Sequence, residues 1–269
     1  MLYFVATPIG NLKDITYRAV EVLGEVDVIA CEDTRNSKIL LSHYNINKPL
    51  IAYHKFNERA STKGILDLLA QGKDVAVISD GGMPIISDPG HVLAQVLSEN
   101  NIDFTVIPGA NAALCALLLS GFSSEMFTFV GFLPEKNSKK EQLLSQIKLL
   151  KNTLIFHVSV HNLEKDLQFL KIHLGPRKAC LVREITKKFE QKHFFNLGDD
   201  LCGVEKRGEF VLVVEGCGDS VDFSNLSVKE HINFYLSQGV EKNQAIKMVA
   251  KDRNVKKDEI YKANLRGEE

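Results

Sequence analysis

The chain contains no tryptophan, and its 269 residues include only five cysteines, at positions 31, 115, 180, 202 and 217. That count is odd and no two stand as a Cys-x-x-Cys pair. This argues against a disulfide framework and a thiolate zinc site, and it suits a reducing compartment, so a cytoplasmic location is expected. The opening residues lack a basic segment followed by a cleavable apolar run, so no signal peptide is expected. No apolar run nears the roughly 20 residues that span a bilayer, so no membrane partner is expected. Excess charge is also missing. The net charge is −1, so no overall field draws the chain to nucleic acid, and any such contact must come from local basic patches. Neither GxGxxG nor GxxxxGK[ST] occurs, which disfavours a conventional dinucleotide fold and a P-loop. His157 and His161 stand four apart, but a metal site would need further ligands and the spacing runs from a strand end into a helix, so no metal is expected. There is no internal repeat and no low-complexity segment.

What is present is ordinary globular composition, 45% hydrophobic and 25% charged, with a clear α/β rhythm. LYFVA (2–6), VDVIAC (26–31), PLIAY (49–53), DVAVIS (74–79) and FTVIP (104–108) are short and apolar nearly throughout, as strands covered on both faces are. Amphipathic segments near 15–24, 35–44, 58–71, 90–99 and 109–120 lie between them, which predicts an open, mostly parallel sheet. A boundary is expected near GFSSE (121–125). Beyond it, FTFVGF, TLIFHV, KACLVRE, FEQKHFFNL and EFVLVVEG read as strands, with helices at about 138–150, 161–173 and 198–205. FEQKHFFNL partly alternates and follows its neighbour closely, which predicts an antiparallel strand and a mixed sheet. Three short helices close the chain, the last two resembling a helix–turn–helix. The expected units are an N-terminal α/β domain (1–121), a second α/β domain (122–224) and a helical tail (225–269).

The stretch SDGGMPIISDPG (79–90) is longer than the usual strand-to-helix connection. Gly81 and Gly82 permit close approach of backbone to a ligand. Pro84 blocks a regular helix. Asp88-Pro89 reads as N-cap and N1 of the helix that follows. ATPIGNLKDIT, ACEDTR and IPGANAA follow three other strands on the same edge. In open α/β sheets, ligands bind outside the carboxyl ends of the strands. A rigid turn that merely starts a helix is the plainer alternative.

Together with GFLP and the KxxIYKANL tail, TPIGNLKDIT, EDTR, SDGGMPIISDPG and PGANAA resemble the ribosomal RNA small subunit methyltransferase I family, within the tetrapyrrole-methylase-like class. The resemblance runs in order along essentially the whole chain. It implies a two-domain α/β enzyme, usually a homodimer, with S-adenosylmethionine in the interdomain cleft. It also implies methylation of a ribose 2′-hydroxyl on a cytidine of small-subunit ribosomal RNA, free or within the ribosomal particle. The cofactor contacts it implies are Pro8, Ile9 and Gly10; Asp80, Gly81, Gly82, Met83, Pro84 and Ile85; Ala110, Asn111 and Ala112; and Phe156, Glu184, Glu209 and Phe210 from the second domain. Three segments depart from the family pattern. Gly81 and Met83 replace alanine and a small hydroxyl residue, PGA replaces PGP at 108–110, and HVSVHN replaces YESPHR at 157–162.

A ribose hydroxyl is a poor nucleophile at neutral pH, so a carboxylate or histidine within hydrogen-bond reach should help. Glu32 and Asp33, at the end of the second strand, are the catalytic candidates; capping the helix after them is their plainer reading. Arg35 and Lys38 are placed to meet an RNA phosphate, or, for Arg35, to pair with those acids. Lys187 and Lys188 lie in a stretch (176–193) with six Lys/Arg against two Glu, and Lys256 and Lys257 in one (242–266) with eight against three acids. These are the expected RNA contacts, against the commoner reading of solvated faces. A small-molecule acceptor such as a tetrapyrrole, and a non-catalytic RNA- or ribosome-binding module, remain alternatives.

Overall fold

The first strand, β1 (Leu2–Val5), sits inside a five-stranded sheet of order β3-β2-β4-β1-β5, with β2 (Val28–Cys31), β3 (Leu50–Ala52), β4 (Val75–Ile78) and β5 (Phe104–Ile107). Every pairing in it is parallel. The computed structural model describes residues 1–54, 58–88, 90–199, 201, 203–218, 226–237 and 239–266. All four residues of β2 and of β4 are buried, because successive side chains point to opposite, covered faces. On one face Val5, Ile29, Ala76 and Ile78 pack with α1 (Tyr17–Glu25) and α2 (Thr34–His43). On the other, Leu2, Phe4, Val75 and Val77 pack with α3 (Glu58–Ala70) and α4 (His91–Glu99).

Strand β5 departs from the expected two-sided burial. It forms the sheet edge, and Phe104 and Val106 are exposed. The helix after it, α5 (Ala112–Ser120), packs on a different sheet. Its Ala113, Ala116 and Leu117 share a core with Ile155, Cys180, Val182, Val211 and Val213. That second sheet has the order β6-β7-β10-β8-β9: β6 (Phe127–Phe132), β7 (Thr153–Val158), β8 (Lys178–Arg183), β9 (Gln191–Asn196) and β10 (Phe210–Val214). Only β6 and β7 pair in parallel; β9 is antiparallel to β8 and the sheet is mixed. Its far face is covered by α6 (Asn137–Ile147) and α7 (Leu163–Leu174), joined by the buried Lys140–Asp166 ion pair at 2.6 Å.

Residues 198–205 are not helical where described. Gly198 (φ 110°) and Gly203 (φ 84°) take left-handed turns that a helix cannot accommodate. The chain closes with α8 (Val228–Ser237), α9 (Lys242–Asp252) and α10 (Lys257–Arg266) around Ile232, Ala245, Ile246, Val249 and Ile260. In that cluster the fully buried His231 accepts from Arg253 Nε at its Nδ1, which leaves Nε2 to donate to Asp252 at 3.1 Å.

Candidate active site

A cavity of about 790 Å³ is lined by residues from the loops of both sheets. Its floor comes from the carboxyl ends of β1 and β4: Thr7, Pro8, Ile9 and Gly10 from one, Asp80 and Gly81 from the other. The two loops are stitched together by reciprocal backbone bonds between Thr7 and Gly82, at 2.9 and 3.0 Å. Gly82 has φ 89°, and a Cβ there would meet Ile9 at 3.2 Å and the Ala110 carbonyl at 3.4 Å. This glycine is what lets three loops converge. The opposite wall is built by His157 to His161 at and after the end of β7, by Ile185 and Lys187 after β8, and by Gly208 to Val211 entering β10.

The expected residues divide. Pro8, Ile9, Gly10, Asp80, Gly81, Ala112, Glu209 and Phe210 line the cavity. Gly82, Met83, Pro84 and Ile85 support it from behind, and Pro84 is buried. Asn111 is committed to capping α5, where its side chain accepts from the Leu114 N–H at 3.1 Å; Ala110 stands beside it with its carbonyl toward Gly82. Phe156 is corrected outright. It is fully buried among Leu154, Leu181 and Leu212, because strand alternation turns it to the core while His157 turns to the cavity. Glu184 stands behind the wall at φ 51°, accepting from the Glu209 N–H and from Lys187, both at 3.0 Å.

Glu32 and Asp33 line a shallower hollow with Arg35 and His54, which meets the main cavity at Asp80. Asp33 is the N-cap of α2, and Arg35 grips it through Nε at 3.1 Å and Nη2 at 2.6 Å. That grip pulls its carboxyl down to about 2, leaving a weak base. Glu32 is raised, first by burial and then by the Asp80 charge. Asp80 accepts from the Asp33 N–H at 3.2 Å and from Asn36 Nδ2 at 2.9 Å, tying the hollow to the cavity floor.

Asp88 does not cap the helix after it. The N-cap of α4 is Gly90, at φ 133°, with no side-chain cap bond. The Gly90 and Val92 N–H groups are instead accepted by Glu58 Oε1 on α3, at 2.9 and 3.4 Å. Asp88 is left half-buried in the cavity wall, pushed up to about 6 by burial and then by the charges of Glu32 and Asp80. Lys187 departs from its expected RNA contact. Its ammonium is held by Glu184 at 3.0 Å and Glu209 at 2.8 Å inside the cavity wall. Lys38, Lys188, Lys256 and Lys257 are exposed. Among the described residues, no group of three or more His, Cys, Asp or Glu is placed to hold a metal ion. None of their helices is long and apolar enough to cross a membrane.

Residues 1–200 match the family model of the Tetrapyrrole (Corrin/Porphyrin) Methylases. A Halalkalibacterium halodurans protein named ribosomal RNA small subunit methyltransferase I is 42% identical over 268 residues, which is 97% of this chain and 93% of that one. A Bacillus subtilis protein of the same name is 40% identical, over 98% of this chain and 93% of that one. The chain belongs to the ribosomal RNA small subunit methyltransferase I family, within the tetrapyrrole methylases.

Solved structures agree on the fold. Uroporphyrin-III-C-methyltransferase from Thermus thermophilus superposes with a TM-score of 0.58 at 21% identity, over 83% of this chain and 96% of that one. Diphthine synthase superposes at 0.64 and 14%, over 80% of this chain and 89% of that one. A further Thermus uroporphyrin-III C-methyltransferase structure, at 0.57 and 18%, over 80% of this chain and 96% of that one, is of a complex with S-adenosylhomocysteine.

The HVSVHN segment, which departs from the methyltransferase I pattern, bears directly on the site. His157, Ser159 and His161 all face the cavity. His157 sits edge-on to Phe129 and Phe132, each at 5.2 Å, and burial lowers its pKa against the opposing pull of the Glu209 charge. The signal for these residues was available in the sequence only as a departure. Thr7 lay within the ATPIGNLKDIT loop without being singled out, while Asn36 and Gly208, which also line the cavity, carried no signal at all.

Proposed function

We propose that the chain transfers a methyl group from S-adenosylmethionine to the ribose 2′-hydroxyl of a cytidine in small-subunit ribosomal RNA, free or within the particle. The observation that carries this reading is the interdomain cavity, floored by the β1 and β4 loops, in a chain that aligns nearly end to end with relatives named as methyltransferases of small-subunit ribosomal RNA.

The residues fit the cofactor. A cavity of about 790 Å³ lies in the range of roughly 300–1,000 Å³ that holds ligands of this size. Ile9, Val158 and Phe210 offer apolar surface to an adenine ring, and Gly81 brings bare backbone to the wall. The carboxylates of Asp80 and Glu209 suit the cationic sulfonium and amino groups. When bound, S-adenosylmethionine supplies an electrophilic methyl carbon. The chain's own task is then to align the acceptor oxygen with that carbon, to exclude water and to take one proton. The Thr7–Gly82 stitching holds the floor rigid. Lys187, pinned by Glu184 and Glu209, braces the opposite wall against Gly10, where it would collide with any Cβ.

Exposed Lys38, Lys188, Lys256 and Lys257, with Arg35 at the mouth of the Asp80 hollow, would meet RNA phosphates. Such a surface favours RNA over a small acceptor. A homodimer in the cytoplasm completes the reading, and the exposed Leu114, Leu118, Phe104 and Val106 are the apolar surface a second copy would cover.

Calorimetric titration with S-adenosylmethionine, paired with mapping of methylated nucleotides in small-subunit RNA, tests the proposal. Saturable binding that Asp80→Ala weakens, and a 2′-O-methylcytidine that depends on the protein, are expected. Methylation of a base or of a small molecule instead would overturn it.

A further inference from the structure

The loop between β4 and α4 makes an unusual choice at its end. Asp88 stands two residues before the N-cap Gly90, near in sequence to the first free N–H groups, whose acceptance by a capping aspartate contributes about 1 kcal/mol. It does not accept them. Glu58 reaches across from α3 and accepts from Gly90 and Val92. The backbone on either side is bent to keep Asp88 elsewhere: Ile85 and Ser87 both sit at φ 75°, a conformation that is costly for a β-branched isoleucine, and Gly90 at φ 133°. The outcome is a half-buried carboxylate lining the cavity, with the Ser79 hydroxyl in reach. Glu32 from the end of β2 and Asp80 from the end of β4 face it. Glu58 lies behind it at the start of α4, and His157, His161, Lys187 and Glu209 line the opposite wall.

Resting on the methyl-transfer reading above, we propose that Asp88 is the proton acceptor for the attacking hydroxyl. As the oxygen–methyl bond forms and the methyl–sulfur bond breaks, the sulfur keeps the electron pair. The hydroxyl proton passes to an Asp88 carboxylate oxygen. Asp33 is unsuited: it is spent on the α2 cap and the Arg35 fork and is a far weaker base. Glu32 lies in the adjoining hollow and acts on Asp88 through its charge. Because Asp88 is pushed up to about 6, its basic form predominates at neutral pH while it remains strong enough to accept a proton.

The test is Asp88→Asn, assayed in single turnovers on small-subunit particles, with S-adenosylmethionine affinity measured separately by calorimetry. The expected result is a rate loss of about 100-fold or more with affinity changed less than about threefold, together with loss of the wild-type rise in rate through about pH 6. A rate loss below about 10-fold, or an affinity loss as large as the rate loss, overturns the assignment. If wild-type protein methylates nothing in the particle, the functional reading fails first, and the two failures are thus distinguishable. Should the variant not fold, carbon-13 titration of the aspartate carboxyls in wild-type protein decides the matter. A carboxyl with a midpoint near 6 whose resonance shifts on adding S-adenosylmethionine supports the proposal; none titrating above about pH 5 overturns it.

Discussion

Glu58 caps a helix to which it does not belong: its Oε1 accepts the Gly90 N–H at 2.9 Å, thirty-two residues further along the chain. The same oxygen receives the Tyr53 hydroxyl at 3.3 Å. The contact joins α3 to the start of α4 and anchors the far end of the 79–90 loop. Glu58→Ala should therefore lower stability by about 1–2 kcal/mol, seen as an earlier urea midpoint with an unchanged slope. An unchanged midpoint would mean that the freed N–H groups had found another acceptor, Asp88 being the nearest in sequence.

Gly82→Ala should be costly for a different reason. The residue sits at φ 89°, and the added methyl would meet Ile9 and the Ala110 carbonyl while straining the paired bonds to Thr7. A loss of about 1–3 kcal/mol is expected. S-adenosylmethionine binding, followed by calorimetry, should weaken with it, since both floor loops must shift.

The Lys187 bridge makes stability depend on pH at both ends. Burial alone would raise Glu184, but the Glu209 N–H and the Lys187 ammonium outweigh it and lower its pKa. A lowered carboxyl stabilises the fold above its unfolded value and loses that contribution as pH falls through the folded one. Burial alone would lower Lys187, but Glu209 and Glu184 outweigh it and raise its pKa. That contribution is present at neutral pH and lost as pH rises through the raised value. Lys187→Met should flatten both limbs of a plot of thermal midpoint against pH. Limbs as steep as in wild-type protein would show that the bridge adds nothing.

Asp166→Ala should cost about 3–5 kcal/mol, because it leaves the Lys140 ammonium buried without its partner. Replacing both, as Lys140→Met with Asp166→Leu, should recover most of that loss in guanidinium denaturation. Failure to recover would mean that the cost came from helix packing and not from the orphaned charge.

Lys256→Glu with Lys257→Glu tests the tail. Lys256 lies in the turn after α9, Lys257 opens α10, and both are exposed. Affinity for small-subunit particles should fall, and the slope of log affinity against log salt should become shallower by about one unit for each phosphate that is no longer neutralised. Affinity and slope unchanged from wild type would remove the tail from the RNA interface.

Much of the architecture was legible from local pattern. Continuous apolar runs such as VAVI and VIAC announced strands covered on both sides, and the partial alternation of FEQKHFFNL announced an antiparallel strand. The glycine-bearing loops marked the edge of the sheet where the cavity lies. These features depend on side-chain period and backbone freedom, which a sequence carries directly. What only the tertiary structure decided depends on partners distant in sequence. Phe156 and His157 are adjacent, yet strand register sends one to the core and the other to the cavity. Lys187 looks like one charge in a basic run until Glu184 and Glu209 close around it. Asp88 reads as a helix cap until Glu58, folded in from α3, takes that place and leaves the carboxylate to the cavity. A hydrogen bond is decided by which acceptor arrives in space, and chain order alone does not say which one that is.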